Sequence, residues 1–307
     1  ASNTALGGNS TMFANTTGAE NVAVGVSALQ SNTTADGNTA VGKSSLTANT
    51  TGASNTALGS NSLLANTTAG ENTALGFRSL CKTTTGNQNT AVGAVTMRQN
   101  TTGCLNVAIG YRSLDANTTA NNNIAIGPNA MEANTTGAGN VAVGKDSLKT
   151  NSSANDNTAV GLCALNANNT GANNVAVGAY SLRNNTGSDN VSVGAGSALL
   201  TTGGCNVAVG SNSLKCNVGG ANNTAIGFES LKANTTGANN TAVGKIALCA
   251  NTTGSCNVAL GVEALDSNTT GSSNVGIGTD SLQGNTSGSS NVAIGDDAMK
   301  TNSTASN

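Results

Sequence analysis

The chain has 307 residues, of which 8% are charged and 2% aromatic, with 40 glycines, one proline, no histidine and no tryptophan. This composition lacks the bulky aromatic side chains that usually fill a large globular core. The formal net charge of −2 gives no field that attracts nucleic acid or anionic lipid, so we expect no nucleic-acid partner. No apolar run approaches the roughly 20 residues that cross a bilayer, and we expect no membrane insertion in this segment.

The chain is built from one short repeat. The string Asn-Thr-Ala-Val-Gly, or a close variant, begins 18 times between Asn3 and Asn291, spaced by 17 residues except for one interval of 18 and two of 16. A repeat of this length predicts a solenoid in which each copy forms one coil and stacks on its neighbours. We therefore expect residues 1–307 to be a single continuous array without a separate capping domain, as part of a longer chain or of an end-to-end assembly.

The repeat positions are numbered one to seventeen from the first Asn, and each coil is named by that Asn. Positions two and four are apolar or β-branched in every coil, and in an extended chain they share one face. This pattern predicts a strand that buries its valines together with the leucine at position nine. Position three is Ala in 16 coils. It is either a second, tight inner layer of the same coil or a flat face packed against another chain.

The next elements are turns. Gly at position five is present in all 18 coils, which predicts a left-handed backbone or a close backbone approach. Leu or Met usually follows at position nine, where we expect a short second strand, and then Asn-Thr-Thr-Gly, whose residues favour a turn. Helical solenoid repeats are longer and need helix formers at a period of about 3.6 residues. The sequence thus predicts an all-β fold, a parallel β-solenoid of about 18 coils with a 17-residue repeat.

Six of the seven cysteines flank the Asn-Thr-Thr-Gly turn. If the turn brings its two sides together, three disulfides are expected: Cys249 with Cys256, Cys81 with Cys104, and Cys205 with Cys216. Cys163, at position seven, remains a free thiol. The alternative is that all are surface thiols at variable positions. Disulfides indicate an oxidising, extracellular location.

The Asn at position twelve begins an N-x-S/T sequon in 14 coils. A secreted protein with this column carries a glycan on each of these coils if its host glycosylates the chain. The alternative is that Asn serves as a turn residue and forms a hydrogen-bonded ladder along the stack. The candidate sites are Asn15, Asn32, Asn49, Asn66, Asn100, Asn117, Asn134, Asn151, Asn168, Asn234, Asn251, Asn268, Asn285 and Asn302.

No residue pattern predicts catalysis. Histidine, the commonest general acid or base, is absent, and we expect no catalytic residues, no metal site and no cofactor. The strongest candidate is a column of carboxylates at position seven, formed by Glu263, Asp280 and Asp297, which stacking sets about 5 Å apart. It is interpreted as a solvated acidic patch, with weak Ca²⁺ binding as the alternative.

Copies such as NTAVGKSSLTANTTGAS, from Asn38 to Ser54, resemble the repeats of phage and bacterial tail-fibre proteins. NVAIG and NTAVG are more distantly similar to the head repeats of trimeric autotransporter adhesins. The resemblance covers essentially the whole chain and implies parallel β-roll coils, often in trimers, that serve as a stalk or an adhesive surface. This chain shows no recognisable tip domain, coiled-coil stalk, anchor or C-terminal chaperone domain, so attachment and receptor specificity do not carry over.

These observations predict a non-catalytic structural subunit of an extracellular fibre or filament, secreted or on a cell surface or virion. It is expected to self-associate end to end or laterally, in a homo-oligomer such as a trimer. One alternative is an adhesin that binds a receptor or cell-surface glycans. Another is an ice-binding solenoid, suggested by the regular threonines at positions thirteen and fourteen.

Overall fold

The computed structural model describes residues 2–306. The chain divides into two compact units, residues 1–155 and 156–307. Both units repeat one element, a three-residue strand at positions two to four of each coil. In the first unit the strands are β1 (Thr4–Leu6), β2 (Val22–Val24), β3 (Thr39–Val41), β4 (Thr56–Leu58), β5 (Thr73–Leu75), β6 (Thr90–Val92), β7 (Val107–Ile109), β8 (Ile124–Ile126) and β9 (Val141–Val143). In the second they are β10 (Thr158–Val160), β11 (Val175–Val177), β12 (Val191–Val193), β13 (Val207–Val209), β14 (Thr224–Ile226), β15 (Thr241–Val243), β16 (Val258–Leu260), β17 (Val275–Ile277) and β18 (Val292–Ile294).

Within each unit every strand pairs in parallel with the next strand along the chain. The register joins equivalent repeat positions: Thr90 lies beside Val107, and Ala91 beside Ala108. In the second unit the 16-residue coils keep this register, since Ala176 still pairs with Ser192. The predicted parallel β-solenoid is confirmed.

The side of each strand that faces the interior is the opposite of the one expected. Position three points into the coil, since Ala91 and Ala108 are fully buried. Of the two residues that flank Ala108, Val107 is half-buried and Ile109 is 39% exposed. The predicted burial of the valines is therefore wrong, whereas the predicted burial of the position-nine leucine is confirmed. The first interpretation of the alanine column, a tight inner layer of the same coil, is also confirmed. The inward Leu or Met of position nine, for example the buried Leu114, fills the coil beside this column. The one residue larger than Ala at position three, Ser192, lies in a coil that has the small Ala198 at position nine.

The predicted second strand is also absent. Positions six to eleven form turns in which positions seven and nine are left-handed, as in Arg112 (φ 54°) and Leu114 (φ 53°). A left-handed bulky residue costs about 1–2 kcal/mol. Burial of the leucine and bonds between coils offset this cost: the Met97 N–H donates to the Ser113 carbonyl at 3.1 Å and Gln99 N–H to the Asp115 carbonyl at 3.0 Å. The turns are thus held by the neighbouring coil.

The glycine at position five meets both conditions expected of it. Gly110 has φ 129°, and a Cβ built there would lie 2.7 Å from the carbonyl carbon of Gly127 in the next coil. A side chain therefore clashes with backbone that is itself tied into the stack. This explains why the residue does not vary among the 18 coils.

Two columns of asparagine complete the interior. In the coil of Asn106, the position-one amide donates from Nδ2 to the Ala120 carbonyl at 2.9 Å, and the position-twelve amide of Asn117 donates to the same carbonyl at 3.2 Å. Their Oδ1 atoms bridge coils, since Asn89 Oδ1 accepts from the Asn106 N–H at 3.1 Å. The two amides thus close each coil and join it to the next.

Candidate functional site

The inward alanines leave the side chains of positions two and four on the outside. This surface, called the strand face, carries thirteen of the large apolar side chains that are exposed among residues 2–306: Leu6, Leu58, Leu75, Ile109, Ile124, Ile126, Val177, Val191, Val193, Ile226, Leu260, Val292 and Ile294. In each unit nine strands, spaced by about 4.8 Å and about 10 Å long, make a strip of roughly 400 Å². The largest apolar patch on a soluble monomer is commonly about 300–600 Å² and is often functional, so the strand face is a candidate interaction surface.

The strand face was missed at the level of sequence, although one feature pointed to it. Position two is Thr in eight coils, for example Thr56 and Thr73, whose side chains are exposed. A position that alternates freely between Val and Thr is typical of a half-exposed strand surface. Position three, between these two columns, is Ala in 16 coils, which indicates that it has less space than positions two and four.

A second surface, the turn edge, is formed by positions six, seven, ten and eleven. In the first unit it carries an ion-pair network that crosses neighbouring coils. Arg98 Nε lies 3.2 Å from Asp115 Oδ1, and Arg112 Nη2 lies 2.8 Å from Glu132 Oε1. The Asp115 side chain is only 5% exposed and is shared by both arginines. This network of ion pairs links successive coils along the stack.

The carboxylate column of the second unit is partly neutralised by its neighbours. Lys300 Nζ donates to Asp280 Oδ2 and to Asp297 Oδ1, both at 2.7 Å, and these bonds raise the pKa of Lys300 above its ordinary value. Gln283 Nε2 donates to Glu263 Oε2 at 3.0 Å. Within residues 2–306 no group of three or more acidic or cysteine side chains has the arrangement of a metal site. The Lys300 ammonium and the Gln283 amide therefore already bind the carboxylates of this column.

The sequon asparagines lie inside the coils. Twelve of the fourteen are fully buried, and only Asn15 and Asn302 are partly accessible. In the others Nδ2, the atom that a glycan would occupy, is bonded within the ladder, as from Asn251 to the Gly254 carbonyl at 2.9 Å. A folded coil has no space for a glycan at those twelve positions, and the ladder alternative accounts for the column.

All seven cysteines are free thiols, so none of the three expected disulfides is formed. Cys104 serves the turn instead: its Sγ accepts a hydrogen bond from the Asn87 N–H at 3.3 Å and donates one to the Thr102 carbonyl at 3.3 Å. Burial raises the pKa of the Cys81 and Cys249 thiols, which keeps them protonated and unreactive. Cys163 is half-buried and free.

The threonines of the Asn-Thr-Thr-Gly turn divide into two columns. At position thirteen the hydroxyl is used within the stack, as when Thr101 Oγ1 donates to the Thr118 carbonyl at 2.9 Å. At position fourteen the side chains, such as Thr102 and Thr119, are exposed. Only the second column therefore presents a hydroxyl array to solvent.

No protein-family model matches this chain, and no characterised protein is significantly similar to it in sequence. The resemblance to tail-fibre repeats therefore stays a prediction. Within residues 2–306 the structure has no helix long and apolar enough to cross a membrane.

Proposed function

We propose that this chain is a non-catalytic structural subunit of an extracellular fibre, which self-associates through the strand face. The observation that carries the proposal is the column of Val, Ile and Leu at position four, whose side chains are exposed or half-buried and rest on buried position-three residues from β2 to β18. Ile109 and Ile126, in adjacent coils, are 39% and 37% exposed. Covering these side chains removes apolar area from water, at about 25 cal/mol per Å².

Rigidity supports a shaft role. Within each unit, each coil is joined to the next by the strand, by the turn backbone and by both asparagine columns, so local opening breaks several buried hydrogen bonds at once. Solenoid stability grows through such nearest-neighbour interfaces. An extracellular location follows from the resemblance to tail-fibre repeats and not from disulfides, because the thiols are free.

The proposal is tested by charging the strand face. The double variant Ile109→Lys, Ile126→Lys places two cations in adjacent coils of the proposed interface, and Val26→Lys is the control, since Val26 is 49% exposed at position six, off the face. Analytical ultracentrifugation and negative-stain microscopy should show oligomers or fibres for the wild type and the control, and a 29.6 kDa monomer for the double variant. A wild type that is monomeric at every concentration tested would overturn the proposal.

Ice binding is a second candidate because the strand face has one regular hydroxyl segment. Thr39, Thr56, Thr73 and Thr90 follow one another at position two in four consecutive coils. Position four has no Thr in any coil, so half of the face is purely apolar. Thermal hysteresis that is lost when Thr56 and Thr73 are both changed to Lys would favour this function over the fibre.

A further inference from the structure

The turn edge of the second unit contains a cleft of about 450 Å³ across the coils of Asn174, Asn190 and Asn206. Its walls are Tyr180 and Arg183 on one side and Asn212 and Lys215 on the other, and the floor is the middle coil. Small-molecule sites in proteins typically have volumes of about 300–1,000 Å³. The cleft therefore has the size of a site for a mono- or disaccharide.

The cleft exists because the middle coil lacks side chains where its neighbours have them. Position seven is Tyr180 in the preceding coil and Asn212 in the following one, but Gly196 in between, and position six beside it is Ala195. Gly196 is the only glycine at position seven in the chain. Leu199 provides an apolar floor at position ten. The gap in the turn edge thus results from the small Ala195 and Gly196, and the apolar Leu199 closes it from below.

The charges around the gap are unbalanced. On the turn edge Arg98, Arg112, Lys149, Lys232 and Lys300 each lie within 4.0 Å of a carboxylate. Arg183 and Lys215, which line the cleft, form no such ion pair among the described residues. Lys43, Arg78 and Lys82, elsewhere on the turn edge, are likewise without one, but none of them lines this cleft. Arg183 and Lys215 both occupy position ten, two coils apart, so their Cα atoms are separated by about 10 Å along the stack. Two cations without acidic partners therefore face one small opening.

The remaining groups indicate what kind of anion fits. The Arg183 guanidinium lies 5.5 Å from the centre of the Tyr180 ring, which holds the two side chains together at one wall. Asn212 and Ser211 add neutral hydrogen-bonding groups suited to hydroxyls. Arginine binds carboxylate and sulfate oxygens with two parallel hydrogen bonds. The combination matches a compact molecule that has an acidic group and several hydroxyls.

We propose that this cleft is a binding site for an acidic sugar, one that bears a carboxylate or a sulfate. Arg183 and Lys215 bind the anionic group, Tyr180 and Leu199 contact the ring, and Asn212 bonds to hydroxyls. The site goes beyond the fibre role, which requires only the strand face.

Titrations followed by NMR chemical shifts test the site with three probes: glucuronate for the carboxylate, glucose 6-sulfate for the sulfate, and glucose as the neutral control. We expect saturable shifts with one or both acidic sugars and none with glucose. Arg183→Gln or Lys215→Gln should weaken binding about tenfold or more, because each removes a charged hydrogen-bond donor. Lys82→Gln, in the first unit, should leave it unchanged. Absence of saturable binding to both acidic sugars, or equal binding of glucose, would overturn the proposal.

Two substitutions of Gly196, at the floor of the cleft, differ only in charge and test whether the sugar binds there. Gly196→Asp places a carboxylate between the two cations, and Gly196→Asn fills the same space without charge. Position seven accepts these residues at the same left-handed backbone, as at Asp280 (φ 54°) and Asn129 (φ 56°), so both variants should fold. We expect the Asp variant to abolish binding and the Asn variant to weaken it less. Binding that survives both substitutions would place the sugar elsewhere. Unchanged sedimentation of these variants would separate this site from the strand face.

Discussion

The two sides of a single strand differ sharply in burial and in the size of their side chains. On β7 the inward Ala108 is fully buried, while the next residue, Ile109, is 39% exposed although it is larger and more apolar. Hydrophobicity therefore does not decide which side faces the interior here. The inner space beside position three is limited by the position-nine leucine, and a residue larger than Ala occurs there only as Ser192, in the coil where that leucine is replaced by Ala198.

The largest effect is expected where the interior is polar. Asn106→Leu nearly keeps the branched shape of the side chain, but the Asn123 N–H loses its acceptor at 3.0 Å, and Asn89 Oδ1 loses the Nδ2 donor and keeps only the backbone N–H of residue 106. Each buried group left without a hydrogen bond costs about 1–3 kcal/mol, so we expect a loss of about 3 kcal/mol or more in the free energy of unfolding. Urea denaturation measures it. Asn184→Leu, at an exposed position eleven, is the control and should change stability little.

The next effect separates the two sides of β7 directly. Ala108→Leu overfills the interior, and we expect it to destabilise the unit by about 2–3 kcal/mol. Val107→Leu places the same side chain on the strand face, where it adds one exposed methylene, and should fall within about 0.5 kcal/mol of the wild type. The same denaturation experiment compares them. Equal effects of the two substitutions would show that the strand does not have the inner and outer sides described.

The smallest effect concerns charge on the outside of the coil. Burial raises the pKa of Asp266, and Glu263 and Asp280 add to this. Because the folded state holds this proton more tightly than the unfolded state, the contribution of Asp266 to stability is greatest at low pH and falls as pH rises through the folded pKa. Asp266→Asn should therefore stabilise the protein at pH 7 by about 0.5 kcal/mol, since the group is largely solvent-screened. The difference should vanish below the ordinary Asp range, as pH-dependent thermal melting would show. A variant less stable than the wild type at pH 7 would contradict it.

The sequence by itself determined the repeat, the strand at positions two to four, the glycine corner and the parallel solenoid. Each of these follows from local rules: alternation places positions two and four together, and only glycine tolerates the backbone at position five. The tertiary structure decided which side of the strand is inside, because alternation defines the two faces of a strand without saying which one is buried. It also decided the role of the turn asparagines. From the sequence alone, Asn49 is equally compatible with a glycan site and with a ladder residue. The structure distinguishes the two, because Asn49 is fully buried and its Nδ2 donates to Asn32 Oδ1 at 3.0 Å.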